Sequence, residues 1–431
     1  MSRVGIDIGT TSIKCCFLSN PSSSPSTILH TKQVHTADII SSDNKHEQCA
    51  QRILSAVRTA LVALAEKSGA LILNVNTVSV CCQMHGVMLW NDEHDTTTLV
   101  TWQDHRCSDD FLREIRSYSE FSDDLHAGYG SATLAWLARN TPSELKKYKH
   151  CGTVADYLVF VLCGLREGVI SDHNAQSWGL FNDKTRNWDN RALNTAGVTI
   201  NLPKIVNNGN IIGCVVNEKF SIQKGAQVFI PVGDLQASAY SVLGASSGRV
   251  FNYGTASQIV HTTKCDDFGD LPVSVRRTLY TDKYNLVTAA SLNGGNSMEI
   301  VFKLFSSLTA DLHYDTVMEL AYEKRNTDLR VCPVFFGERH DTGTFGSFSN
   351  VTSDNFTVGD ISAAVLRGVV ENLCEMMGGV QTNFDTLYAV GIAERPILQH
   401  YLREVMGDFV LFDKDVTAAY GAILFDLDNM K

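Results

Sequence analysis

The segment Val4-Gly5-Ile6-Asp7-Ile8-Gly9-Thr10-Thr11-Ser12-Ile13-Lys14 constrains the fold more than any other stretch of this chain. An apolar run that stops at a glycine and resumes through Ile13 to Leu18 predicts two strands joined by a tight turn. The turn gathers the hydroxyls of Thr10, Thr11 and Ser12, with Lys14 just beyond it and Asp7 at the end of the first strand. Gly9 permits close backbone approach, and N–H and hydroxyl donors suit phosphate oxygens. Asp7 is then placed to hold Mg²⁺, directly or through water. Taken alone, the stretch is equally an ordinary hairpin opening a sheet. An echo at Val250-Phe251-Asn252-Tyr253-Gly254-Thr255-Ala256-Ser257 favours the ligand reading, because two such turns can grip one nucleoside triphosphate from opposite sides.

A chain of 431 residues is long for one core, so two domains are expected, 1–246 and 247–431. Gly244 to Gly248 reads as the hinge between them, and Pro21 to Pro25 as a polar loop. Apolar residues at Ile53, Val57, Leu61 and Leu64 predict a helix over 46–67, followed by a buried strand over 77–82. Strands alternate with helices to about residue 245, the pattern of an α/β domain. Helices are also expected over 361–377, 394–406 and 417–427.

Two groups of residues carry candidate chemistry. Asp234 follows an apolar strand and Gly233, at the start of a helix. A carboxylate there can accept a proton from a sugar hydroxyl, or simply cap the helix. The second group is Gln83, Met84 and His85 with Trp102, Asp104 and Arg106. Its polar members suit the hydroxyls of a polyol and Met84 and Trp102 its carbon face, although a lone histidine is more often a satisfied core residue.

The motif order Gly9-Thr10, Gln83-Met-His-Gly86, Thr101-Trp-Gln-Asp104, Ser171 to Gly179, Gly233-Asp-Leu-Gln-Ala-Ser238, Gly254-Thr255, Ser291 to Asn296 and Gly337-Glu-Arg-His340 resembles the FGGY family of carbohydrate kinases. The resemblance runs along essentially the whole chain. It implies two actin-like ATPase (ribonuclease H-like) α/β domains with a cleft between them, sugar and phosphate in the first and nucleotide in the second. It also implies ATP and Mg²⁺ as cofactors. Asp234 falls at the position of the family's catalytic base, and Gly9, Thr10, Thr11, Lys14, Gly254, Thr255, Gly295, Gly391 and Ala393 at nucleotide-binding positions. The acceptor implied is a ketose, sedoheptulose by the wording of the motifs and xylulose or ribulose as alternatives, feeding the pentose phosphate pathway. One departure stands in the adenosine loop. Val390 precedes Gly391, where the family usually carries consecutive glycines. An actin-like or chaperone-like nucleotide switch that phosphorylates nothing shares the duplicated turns, but has no use for Gln83, Met84, His85 and Asp234 together.

Composition narrows the partners. A net charge of -11 speaks against nucleic acid or anionic membrane, both of which reward a basic surface. The twelve cysteines form no C-x-x-C pair, which predicts reduced, buried thiols and a cytoplasmic protein. A monomer or homodimer acting on small molecules is expected.

Overall fold

The computed structural model describes residues 1–19, 27–40, 44–121, 125–266, 269–308, 312–341, 343–378, 380, 386–411 and 417–430; the loop read at Pro21 to Pro25 lies outside them. The chain forms two compact units, Met1–Ala245 with Asp415–Lys431, and Ser246–Lys414.

In the first unit, strand β1 (Arg3–Ile8) runs antiparallel to β2 (Ser12–Leu18), which pairs antiparallel with β3 (Ile28–Val34). Helix α1 (Ala50–Lys67) returns the chain to β4 (Thr77–Cys82), parallel to β1 on its other side. Helix α2 (Val154–Cys163) starts at a reciprocal cap between Thr153 and Asp156. Strand β5 (Ile211–Cys214) is antiparallel to β6 (Gln227–Phe229), and β6 and β7 (Val232–Gly233) both run parallel to β4. Pro231, which cannot donate to a ladder, stands in the gap between β6 and β7. Helix α3 (Asp234–Leu243) follows at once.

The two-residue period of the strands sorts this sheet into faces. Val4, Ile6, Ile8, Ile13, Val78, Val80 and Cys82 share a core with Ile53, Val57, Leu61 and Leu64 of α1. Gly5, Asp7, Cys16 and Cys81 take the other face, by register. The helix expected from residue 46 begins only at Ala50. His46–Gln48 is a strand, because Glu47 and Gln48 pair with Val100 and Leu99.

The second unit repeats the plan. Its strands are β8 (Arg249–Tyr253), β9 (Ser257–Lys264), β10 (Val275–Leu279) and β11 (Tyr284–Ser291). Helices α4 (Gly295–Ser306), α5 (Tyr314–Glu323) and α6 (Val358–Met377) precede β12 (Leu387–Gly391), α7 (Pro396–Met406) and β13 (Phe409–Leu411). The order β12-β8-β9-β11 matches β4-β1-β2-β3: a hairpin, an antiparallel strand beyond its second arm and a parallel strand beside its first. Both units are therefore α/β, of the actin-like, ribonuclease H-like type.

The final helix, α8 (Ala418–Asn429), belongs to the first unit, so the second unit ends at Lys414 and not at the C-terminus as expected. Missing side chains explain the docking. A Cβ on Gly5 would stand 2.0 Å from the Ala419 carbonyl oxygen, and one on Gly421 1.9 Å from that of Ala237 in α3. Tyr240 of α3 donates to Asp428 at 2.8 Å. Among the described residues no helix is long and apolar enough to cross a membrane, and all twelve cysteines are free thiols.

Candidate active site

Asp7 is the last outward-facing residue of β1, level with Lys14 on β2 and Cys81 on β4. It is only 4% exposed, with the Lys14 ammonium 3.6 Å from Oδ2. Burial pushes its carboxyl above the ordinary range, against the opposing pull of Lys14 and of a hydrogen bond with Cys81. Burial and then the charges of Asp7 and Asp234 push the Cys81 thiol well up, so it stays protonated and donates. Asp234 opens α3 directly after β7, whose Val232 and Gly233 lie level with Cys81 and Cys82. Its Oδ1 accepts from the Leu235 N–H at 2.8 Å. Burial first, then the negative charge of Asp7, push its carboxyl up to about 7. Met84 fills the space beside Gly233, where a Cβ would stand 2.7 Å from Sδ.

The turn between β1 and β2 is held by its oxygens. His35 Nε2 lies 3.1 Å from the Gly9 carbonyl and so carries the proton there, Gln48 Nε2 donates to the Thr10 carbonyl at 2.8 Å, and the His35 N–H donates to that of Thr11 at 3.2 Å. Three carbonyl dipoles are tied back and the Gly9 N–H is spent on the Ser12 carbonyl at 3.0 Å, so the remaining N–H groups and hydroxyls of the turn give it the polarity an anion requires.

The second unit treats its turns alike. The Gly254 carbonyl accepts from Gly295 N–H at 2.8 Å and that of Thr255 from Asn296 N–H at 3.0 Å, leaving Thr255 exposed. A Cβ on Gly294 would meet Ala256 at 2.7 Å, so these two turns pack backbone to backbone. Glu338 locks the second of them, accepting from Ser291 Oγ at 2.5 Å, Asn293 Nδ2 at 3.1 Å and Asn372 Nδ2 at 3.0 Å. Gly391, level with Tyr253, has φ 79°, and a Cβ there would stand 2.4 Å from the Tyr253 carbonyl. Val390 sits one step earlier inside β12, paired with Asn252, as an ordinary strand residue. Ala393, in the short helical turn that follows Gly391, is fully buried among the core side chains of this unit.

On the sugar side the structure joins some of the expected residues and parts others. Trp102 Nε1 donates to Thr10 Oγ1 at 3.0 Å, and Thr10 Oγ1 to Gln83 Oε1 at 3.3 Å. His85 adopts φ 74°, a conformation histidine tolerates better than most residues, and stacks on Tyr129 at 4.2 Å. Its Nδ1 lies 2.7 Å from the Ser177 carbonyl and so bears the proton. Asp104 and Arg106 instead engage each other: Nε to Oδ1 and Nη2 to Oδ2 are both 2.8 Å, with Glu47 2.5 Å from Nη2 and the His46 N–H on Oδ2. This buried bidentate pair braces the loop. Sequence reasoning passed over Gln48, which is wholly buried and bonds Gln83, Thr10 and Asp38. It lies between two segments that no motif marks, and only its strand pairing brings it under the turn.

Residues 3–241 match the N-terminal domain of the FGGY family of carbohydrate kinases. The chain belongs to that family. It is 32% identical over 467 aligned residues to the sedoheptulokinase of Mus musculus, covering 99% of this chain and 97% of that protein. With the Homo sapiens sedoheptulokinase it shares 31% identity, covering 98% and 96%. Among solved structures, xylulose kinase from Lactobacillus acidophilus shares the fold with TM-score 0.83 at 20% identity, covering 100% of this chain and 89% of that one. Plasmodium falciparum glycerol kinase with ADP does so with TM-score 0.82 at 17% identity, covering 99% and 89%.

Membership of the FGGY sugar kinases implies use of ATP, generally with Mg²⁺. Among the described residues no three His, Cys, Asp or Glu side chains are grouped to cage a metal. Burial and the charge of Asp7 raise the proton affinity of Asp234, burial raises that of Asp7, and Lys14 partly offsets both. That donor set suits Mg²⁺, which is commonly held by one or two carboxylates together with substrate phosphates and water.

Proposed function

We propose that this FGGY kinase transfers the γ-phosphate of ATP to the terminal hydroxyl of sedoheptulose, with Asp234 as general base. The observation that carries the mechanism is the setting of Asp234: a carboxylate at a helix N-terminus, raised to about 7 by burial and by the charge of Asp7, directly after Gly233, against which Met84 packs. A base with an affinity for protons near the working pH takes the hydroxyl proton as the new bond forms. Oxygens of the phosphate chain are taken by the donors of the Gly9-Thr10-Thr11 turn and by Lys14. The Gly254-Thr255, Gly294-Gly295 and Gly391 turns are the nucleotide-binding elements of the second unit. Mg²⁺, when bound, would neutralise phosphate charge, and Asp7 is the residue that would hold it. Gln83 and His85 bond hydroxyls of the sugar while Met84 and Trp102 cover its carbon face.

Likeness to the two sedoheptulokinases over nearly the whole chain supports the seven-carbon acceptor. A site built to bond each hydroxyl leaves buried groups unpaired when a shorter sugar enters. Turnover of sedoheptulose, xylulose and ribulose with ATP and Mg²⁺ is the test. Sedoheptulose should lead in kcat/KM by at least about tenfold, or roughly 1.4 kcal/mol. Should xylulose lead, the acceptor is wrong and the kinase chemistry stands.

A further inference from the structure

Beneath the phosphate turn, Thr10, Gln83 and Gln48 close a ring of hydrogen bonds that phosphoryl transfer itself does not require. Chemistry fixes every orientation in it. Gln48 faces the Asp38 carboxylate at 2.6 Å and the Thr10 carbonyl at 2.8 Å, and only an amide nitrogen can donate to both. Its oxygen therefore faces Gln83 and accepts from Gln83 Nε2 at 2.9 Å. Gln83 must in turn present its oxygen to the Thr10 hydroxyl. Trp102 Nε1 donates to that same hydroxyl, so the single Thr10 proton points inward, to Gln83. Gln48 is wholly buried and Gln83 only 2% exposed, so water does not readily replace these bonds.

We propose that Gln48 is a positioning residue that couples nucleotide binding to ketose binding. The inference rests on the reading above of the Gly9 turn and of Gln83 as nucleotide and sugar elements. At 3.3 Å the Thr10–Gln83 bond is the longest in the ring and the one most readily exchanged. When a phosphate oxygen accepts the Thr10 proton, the Gln83 oxygen loses its donor and takes a sugar hydroxyl in its place. Gln48 keeps that oxygen aimed at the site throughout, because its three bonds prevent the Gln83 amide from turning over. A buried acceptor without a donor is costly, so each ligand favours the other. By linkage the enhancement is equal in both directions.

Calorimetric titration tests this on the full chain. Affinity for Mg²⁺ with a non-hydrolysable ATP analogue is measured with and without saturating sedoheptulose, and the sugar's with and without the analogue. The wild type should show an enhancement of at least about fivefold, the lower end of ordinary coupling. Gln48→Met should bring it to within about twofold of none. A merely structural role would weaken each ligand alone and leave that ratio unchanged, which would overturn the proposal. Should Gln48→Met fail to fold, Gln48→Asn decides, since it keeps an amide but is one methylene too short to hold Thr10, Asp38 and Gln83 together: the enhancement should again fall to within about twofold of none, and an unchanged enhancement would overturn the proposal. Turnover of the ketose panel by the wild type separates the two readings. A kinase active on sedoheptulose but uncoupled sinks only the role of Gln48, while inactivity on every ketose sinks both.

Discussion

The proposed mechanism concentrates the chemistry in one residue, Asp234. Its ordinary value is 3.8, and the fold raises it to about 7 by burial and by the charge of Asp7. Below pH 7 the free enzyme therefore holds a proton where a base is needed. We expect kcat/KM to fall on the acid side with an apparent midpoint near that value, until bound cation shifts it. Asp234→Asn keeps the shape and the helix start but cannot take the proton. Turnover should drop by about 10²–10⁴-fold with ATP affinity little changed, and the acid limb should vanish with it. Near-normal turnover in steady-state assays would remove Asp234 from the mechanism. The same shift has a stability sign. The folded chain binds the extra proton between about pH 4 and 7, so this group's contribution is present at low pH and lost as pH rises through about 7.

At the scale of elements, the turns are made by what holds their carbonyls. Glu338 anchors Ser291 and Asn293, which precede Gly294-Gly295, and α6 contributes Asn372 to the same carboxylate. Removing a charged, buried acceptor costs about 1.5–3 kcal/mol. Glu338→Ala should accordingly raise the KM for ATP by about tenfold or more and leave the KM for the ketose nearly unchanged. Initial rates with each substrate varied in turn would show this; equal rises in both constants would mean that Glu338 supports the second unit generally.

For the whole molecule, α8 is the element that sequence order misplaces. It is the last helix of the chain, yet its Ala419 and Gly421 meet Gly5 and Ala237 of the first unit at backbone contact. Gly421→Val should cost about 1–3 kcal/mol or more through overpacking. Deleting residues 415–431 should expose β1 and α3 to rapid hydrogen exchange and spare β8 and β12 of the second unit. Loss of protection spread evenly over both units would contradict the assignment of this helix.

The duplicated strand–Gly-Thr–strand pattern is local, and so are the period-two apolar runs. Those features alone determined two α/β units of one plan, with carboxylates at strand ends and donors in the turns. The places of Asp7, Thr10, Gly254 and Asp234 at strand ends and turns were legible because each stands beside its own glycine or strand terminus. Long-range pairing was not legible, since nothing in His46-Glu47-Gln48 announces that a strand will carry Gln48 beneath Thr10. Nor does anything local show that Asp104 and Arg106 satisfy one another, or that Ala393 enters the core. Whether a polar side chain meets ligand or protein is settled by which buried partner reaches it first. That depends on register and on small residues admitting a close backbone, and only the tertiary structure decides both.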